Sequence, residues 1–543
     1  MSELAQEGSQ TGDTPASSPE RPRSALPKGA DTYIVSDLHL SEGIQPGSLR
    51  ASRLEAFFYD EEFRNFCQSI IKRSSERGRT AVLVLNGDVF DFLSVLKTPE
   101  EGIHGPLTRT DREFGLGYTE ADSVWKMGLI AKGHPLFFDG LASVLAAGHQ
   151  LAFIRGNHDL ELFWPGVQAS IEESLEAALG RIGHTEHLSR AHSAVSFHDW
   201  FLYEEGRYWI EHGNQYERSN AVQYGLNPIQ PPEYHRHGAF QLDYPIGSIF
   251  VRYVYNKLRL IDPYTTHFVT LDQYLSITYH HNFVDLIRSA TLHFPLFTRA
   301  ISQARVFEQQ GMAPVQSLHE ERFKALTLES PLGEKLHEIQ KLQSRAVGVT
   351  KYNLLQEMLR PVGRGVLSFT GVTLLSLVTW FYLFSWIQSS EWLARGLLGK
   401  ASLLAVLAVT TVVGLFLGFS YVNRALHRTA EAPEPHEREI AETIAEIAEV
   451  DFVSMGHTHA ADIRHFERRK GAFVNSGTWI PFPGPWDSLR PRGRQFTFVA
   501  IEDQEIALRR WNDERGAAEP AILLEDYVPS RFERLLAEDK APD

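Results

Sequence analysis

Cysteine is all but missing: Cys67 is the only one in 543 residues, which excludes an intrachain disulfide framework and any cysteine-rich zinc site. That scarcity fits a reducing compartment. Cys67 lies in EEFRNFCQSIIKR, where Phe63, Phe66, Cys67 and Ile70 recur at helical spacing, so it reads as a buried small hydrophobe rather than a nucleophile. An excess of basic charge is missing too. The balance of 53 Lys and Arg against 68 Asp and Glu gives a net charge of −15, which leaves no broad basic footprint for nucleic acid. No segment recurs at the period of a solenoid repeat. The first thirty residues are rich in Ser, Pro and Gly and lack the apolar stretch of a signal peptide, so residues 1–30 read as a disordered tail.

What the chain does contain is two long runs without charge, Gly365 to Ser390 and Ala401 to Asn423. Each exceeds the ~20 residues that a helix needs to cross ~30 Å of hydrocarbon, and a two-helix transmembrane hairpin over 361–425 is therefore expected. The connecting loop holds Arg395 and Lys400, whereas Arg345, Lys351, Arg360, Arg364, Arg424, Arg428 and Arg438 flank the pair. Positive-inside bias then places both termini in the cytoplasm, with the chain in the inner cell membrane as a multi-pass protein. Residues 221–430 carry 19 Lys and Arg against 13 Asp and Glu, so the basic part of this acidic chain coincides with the expected membrane part. Within it, IGSIFVRYVYNKLRLID and FVDLIRSATLHFPLFTRAISQARVF mix aromatics with Arg and Lys. Such segments suit helices lying on an anionic leaflet, and equally an ordinary helical region packed on itself.

The remainder repeats one local pattern, in which short β-rich runs stop at metal-type ligands: DTYIVSDLH, TAVLVLNGD, HQLAFIRGNHD, GRYWIEHG and DFVSMGHTH. Aliphatic, β-branched runs of this length read as buried strands, and helical stretches between the early ones (52–72, 137–147) make an α/β layered fold the expectation. Ligands of such sheets bind outside the carboxyl ends of the strands. In extended backbone, positions i and i+2 face the same side, which points Asp37 with His39, and His457 with His459, at common centres. Imidazole with carboxylate suits zinc, iron, manganese or nickel rather than calcium. Asp88 has two carboxylate oxygens with which to bridge a pair of ions, Asn157 offers an amide oxygen, and His212 a further imidazole.

Taken singly these motifs are common. In this order, each behind a strand, the series DxH, GDxxD, GNHD, HG and GHxH resembles the calcineurin-like metallophosphoesterases, of bacterial type, over residues 31–215 and from 449 onward. The resemblance implies a two-sheet β-sandwich flanked by helices and two divalent metal ions, manganese, iron or zinc. One ion would be held by Asp37, His39, Asp88 and His459, the other by Asp88, Asn157, His212 and His457. It also implies that His158 is a catalytic residue beside the scissile phosphate, oriented by Asp91, while a metal-bridging hydroxide attacks in line. For Asp159 a structural role is as good a reading as a catalytic one. GDVFDFL continues with Phe92 and Leu93, where the protein phosphatases of the family have Arg-Gly, which argues against a phosphoprotein substrate.

His212 and His457 are 245 positions apart, far more than a layer connection needs. The expected organisation is therefore a first catalytic part (31–215), a helical insertion (216–360), the hairpin, a second catalytic part (426–530) and a tail (531–543). AFVNSGTW, QFTFVAI and EIALRRW read as strands closing the second sheet. His235, His237, His280, His281, His436 and His465 lack the strand-end setting, and Trp164, Trp479 and Trp486 read as packing rather than as a groove. Three functions stay open: a membrane-anchored phosphoesterase acting on a phosphate ester or pyrophosphate of a lipid, a tethered hydrolase of a soluble nucleotide, or a non-catalytic metal-holding scaffold.

Overall fold

The computed structural model describes residues 26–257 apart from 49 and 235–237, residues 289–389, isolated positions between 405 and 416, and residues 437–521 apart from 481, 485, 486, 494 and 495. His235, His237, His280, His281, His436, Trp486, the hairpin loop, most of the second uncharged run and the C-terminal tail lie outside the described residues. Sixteen strands are described: β1 (Asp31–Val35), β2 (Ala81–Asn86), β3 (Gln150–Ile154), β4 (Val195–His198), β5 (Phe201–Glu204), β6 (Tyr208–Glu211), β7 (Ile229–Gln230), β8 (Gln241–Leu242), β9 (Phe452–Met455), β10 (Asp462–His465), β11 (Ala472–Asn475), β12 (Phe482–Gly484), β13 (Asp487–Gly493), β14 (Thr497–Glu502), β15 (Glu505–Asn512) and β16 (Ala517–Pro520).

Two sheets carry the architecture, one of order β16-β15-β14-β1-β2-β3-β4 and one of order β10-β11-β9-β6-β5. Strands β1 to β4 run parallel to one another, as do β6, β9 and β11. Their residues alternate between two buried faces. Ile34, Val82, Val84, Ala152 and Ile154 meet Ile210, Phe452 and Val474 in a core between the sheets. Tyr33, Val35, Leu83, Leu85, Leu151 and Phe153 face helices on the outside. Burial on both faces is why these strands read as unbroken apolar runs. The outer face of the second sheet, with Trp209, Val453, Met455 and Phe473, is covered by the helices Glu437–Ala448 and Lys335–Val347. Helix, sheet, sheet and helix therefore stack as four layers.

The helix Asp60–Arg77 shows how local sequence builds a layer. Asp60, Glu61 and Glu62 sit at its positive N-terminal end, Arg77 at the other, and Gly78 ends it at φ 62°, a left-handed geometry that glycine adopts at little cost. Phe63, Phe66, Cys67 and Ile70 form its buried stripe, so Cys67 is core. Phe66 packs on Phe498 and Trp479 with ring centroids 4.8 and 5.4 Å apart.

Several expectations need correction. Strand β14 joins the first sheet antiparallel beside β1, and β15 pairs with β14, rather than closing the second sheet; of the three expected strands β11 alone joins the second. Residues 26–30 belong to the fold, with Ala30 buried and Gly29 N donating to Glu204. The transmembrane hairpin and the multi-pass inner-membrane placement are overturned: among the described residues, no helix is long and apolar enough to cross a membrane. The first uncharged run, up to residue 389, lies in the helix Lys351–Ser389.

Described helices between the two segments that build the sheets are part of the same layers. Phe297 and Ile301 of the helix Phe294–Gln310 enter the core behind the first sheet, and Phe323, Leu336 and Ile339 the core behind the second.

Candidate metal centre

The parallel strands of both sheets end on one side, and the loops leaving β1, β2, β3, β6, β9 and β11 meet there. Backbone hydrogen bonds stitch them: Asp37 N to Gly87 O (3.1 Å), Gly456 N to His212 O (2.9 Å) and Ser476 N to Met455 O (3.1 Å). Asn86 Nδ2 donates to Glu211 O at 2.9 Å, crossing from the first sheet to the second. Asp37, His39, Asp88, His457 and His459 all hold positive φ, between 51° and 68°. Five of the eight non-glycine residues described in that region are thus on these loops. Such geometry costs roughly 1–3 kcal/mol each and persists where the surroundings impose it, commonly at functional sites.

Glycines make the close approach possible. A Cβ on Gly456 would lie 2.6 Å from Asp37 Oδ2, and one on Gly156 would lie 2.6 Å from Asp88 N. Gly87 adds a positive φ of 79°, and a Cβ there would collide with the His212 ring.

The side chains gather in two triads, Asp37/His39/His459 and Asp88/His212/His457, within each of which ligand atoms lie within 4.8 Å of one another. In the first, His459 Nε2 is 3.1 Å from Asp37 Oδ1 and 3.2 Å from His39 Nε2. In the second, His212 Nε2 is 3.2 Å from Asp88 Oδ2, and His212 Nδ1 donates to Asn86 O at 2.9 Å, which leaves Nε2 as the lone-pair atom. His457 and His459 therefore serve different triads rather than one common point. Asn157 lies beside Asp88: its neighbour His158 donates its backbone N–H to Asp88 Oδ1 at 2.8 Å.

This donor set fits a cation. Asn157 Oδ1 is buried and makes no hydrogen bond, and Asp37 Oδ1 and His212 Nε2 are buried against other ligand groups, His459 Nε2 and Asp88 Oδ2, an arrangement that is costly unless something else satisfies them. Burial, together with neighbouring His158 and His459, keeps the His39 imidazole neutral, its pKa well below the usual value. Burial would raise the Asp88 carboxyl, but the imidazoles of His212 and His158 hold it well below the ordinary carboxylate range. A neutral imidazole and an ionised carboxylate are the forms that bind metal. These buried clusters could each hold a metal ion.

His158 and Asp91 stand beside the first triad. His158 Nδ1 is 3.4 Å from Asp91 Oδ1, and its ring meets that of His39 edge-on at 4.8 Å. Burial works against the charged imidazole, but the Asp91 and Asp88 carboxylates outweigh it and push its pKa up to about 9. Asp91 is held by Leu93 N and Ser94 N at 3.1 Å and by Ser94 Oγ at 2.8 Å. Asp159 is structural: it accepts from Gly156 N (2.6 Å) and Val89 N (2.9 Å), tying the β2 and β3 loops together.

Four contributors escaped sequence reasoning. Ser36, Ser476 and Thr478 brace Asp37: Ser36 Oγ bonds its carboxylate and lies 2.6 Å from Ser476 Oγ, and Thr478 Oγ1 donates to Asp37 O at 2.5 Å. The signal for the latter two was NSGT, which follows β11 as the ligand loops follow their strands. The fourth, Glu217, has Oε2 2.6 Å from His457 Nε2, and NQYERSN gave no hint of it. Trp164 and Trp479 are buried packing residues, and His465 is exposed.

No family model matches the chain, and no curated protein is significantly similar to it.

Proposed function

We propose that the chain is a dinuclear metal-dependent phosphoesterase of the calcineurin-like type, hydrolysing a phosphate ester or pyrophosphate. The observation that carries this reading is the pair of facing triads, Asp37/His39/His459 and Asp88/His212/His457, with His158 and Asp91 alongside. Asp88 and Asn157 complete the donor sets. Manganese, iron or zinc matches imidazole and carboxylate donors. Two such ions, when bound, supply positive charge against phosphoryl oxygens and acidify a water at neutral pH.

The residues themselves do the rest. Asp91 faces His158 Nδ1 at 3.4 Å, which orients the ring and leaves Nε2 to hand a proton to the leaving oxygen. Ser36, Ser476 and Thr478 keep Asp37 from turning away. The glycines at 87, 156 and 456 keep the loops close enough for both triads to form.

The test is to strip the full chain of metal and assay 4-nitrophenyl phosphate, bis(4-nitrophenyl) phosphate and a pyrophosphate diester, with and without added manganese, iron or zinc. Hydrolysis of at least one that appears with metal and vanishes in Asp88→Asn is expected. No metal-dependent turnover of any of them would overturn the reading.

A further inference from the structure

Each imidazole in the two triads must present one particular ring nitrogen, and something must choose it. For His212 the chooser is the Asn86 carbonyl. For His457 it is a side chain from a different part of the chain: Glu217 Oε2 lies 2.6 Å from Nε2. Glu217 follows the turn Asn214–Tyr216, five residues beyond His212.

The carboxylate is held independently of the histidine. Ser219 Oγ donates to Oε1, and Asn220 Nδ2 donates to Oε2 at 2.8 Å. The Glu217 carbonyl accepts from Asn220 N (3.0 Å) and Ala221 N (2.8 Å), closing the chain into a tight turn. Gly247 N, in the first turn of the helix Ile246–Tyr253, donates to Ser219 O at 2.8 Å and braces that turn from outside. A carboxylate so held accepts Nε2–H and leaves the lone pair on Nδ1. His459, two residues on, presents Nε2 to Asp37 and His39 instead.

We propose that Glu217 is a positioning residue for one ion only: by fixing His457 with its proton on Nε2, it prepares Nδ1 as the ligand of the Asp88/His212/His457 triad. The Asp37/His39/His459 triad does not depend on it. The proposal rests on the metal reading above and adds to it a division of labour between the two sites. A carboxylate behind a ligating imidazole also raises its basicity, and loss of such a partner typically costs ~10–100-fold in metal affinity.

The experiment is a manganese titration of the apo chain, with bound ions counted from the EPR signal of free Mn2+, on wild type, Glu217→Ala, Glu217→Gln and the double variant Ser219→Ala/Asn220→Ala. Wild type should bind two ions. E217A should keep one at wild-type affinity and bind the second ~10–100-fold more weakly. E217Q, which can still accept the Nε2–H bond, should recover most of that loss. The double variant frees Glu217 without altering it and should weaken the same single ion, which keeps the proposal testable should E217A fail to fold. Two ions at wild-type affinity in E217A, or equal weakening of both, would overturn the proposal while leaving the metal centre standing. A wild-type chain that binds no manganese would overturn the metal reading and this proposal together.

Discussion

Glu55 is fully buried, yet it is an acid, and its neighbourhood fixes what a change at His134 should do. The Glu55 carboxylate accepts from Ser41 Oγ (2.8 Å), Gly43 N (2.6 Å) and Phe57 N (3.0 Å), pinning the loop that continues from Asp37 and His39. His134, 1% exposed, bridges it to Asp60 at 3.3 and 3.0 Å. Burial opposes a charged imidazole, but Glu55 and then Asp60 overcome this and push the His134 pKa up to about 10. A histidine whose pKa rises on folding adds stability that is fully present below its unfolded value of ~6.5 and is lost as pH rises through the folded value. At ~1.4 kcal/mol for each tenfold change in proton affinity, the full effect is on the order of 5 kcal/mol. His134→Gln removes the charge and leaves a buried carboxylate without its cation, a loss of ~3–5 kcal/mol. Urea unfolding followed by tryptophan fluorescence should show H134Q less stable by about that much at pH 6.5, with the gap narrowing to ~1 kcal/mol by pH 10. A gap of constant size across that range would refute a charged, buried His134.

Other changes separate chemistry from architecture. His158→Ala should lower kcat ~10²–10⁴-fold with bound metal unchanged, by the size of a lost general acid; equal loss of metal would show that it is a ligand instead. Gly456→Ala places a methyl 2.6 Å from Asp37 Oδ2 and should weaken metal binding at the first triad, read by the same titration, with secondary structure by circular dichroism unchanged. Phe66→Ala opens a cavity among Phe498, Trp479 and Phe63 and should cost ~3–5 kcal/mol in urea unfolding without altering metal stoichiometry.

The strands and their ligand ends could be read because burial on both faces leaves one uninterrupted β-branched run, and because Asp, Asn and His then follow at the carboxyl end, as at β1, β2, β3, β6 and β9. Sheet membership could not be. β14 pairs with β1 across more than 460 positions, and nothing local in QFTFVAI distinguishes one sheet's edge from the other's. The first helix starts at Asp60, eight residues after the start its spacing predicts, since 52–59 are held irregular by bonds to Glu55 that sequence spacing does not reveal. Left-handed backbone at Asp37, His39, His457 and His459 was equally invisible, because these residues give no glycine-like signal for positive φ. Glu217 acts across 240 positions on His457, and only the folded chain joins them.

The most direct test is anomalous diffraction from crystals of the chain soaked in manganese, collected at the manganese edge. Two peaks ~3.5–4 Å apart, one against Asp37, His39 and His459 and the other against Asp88, His212 and His457, are expected. A chain that shows no peak there, or peaks only elsewhere, contradicts the account.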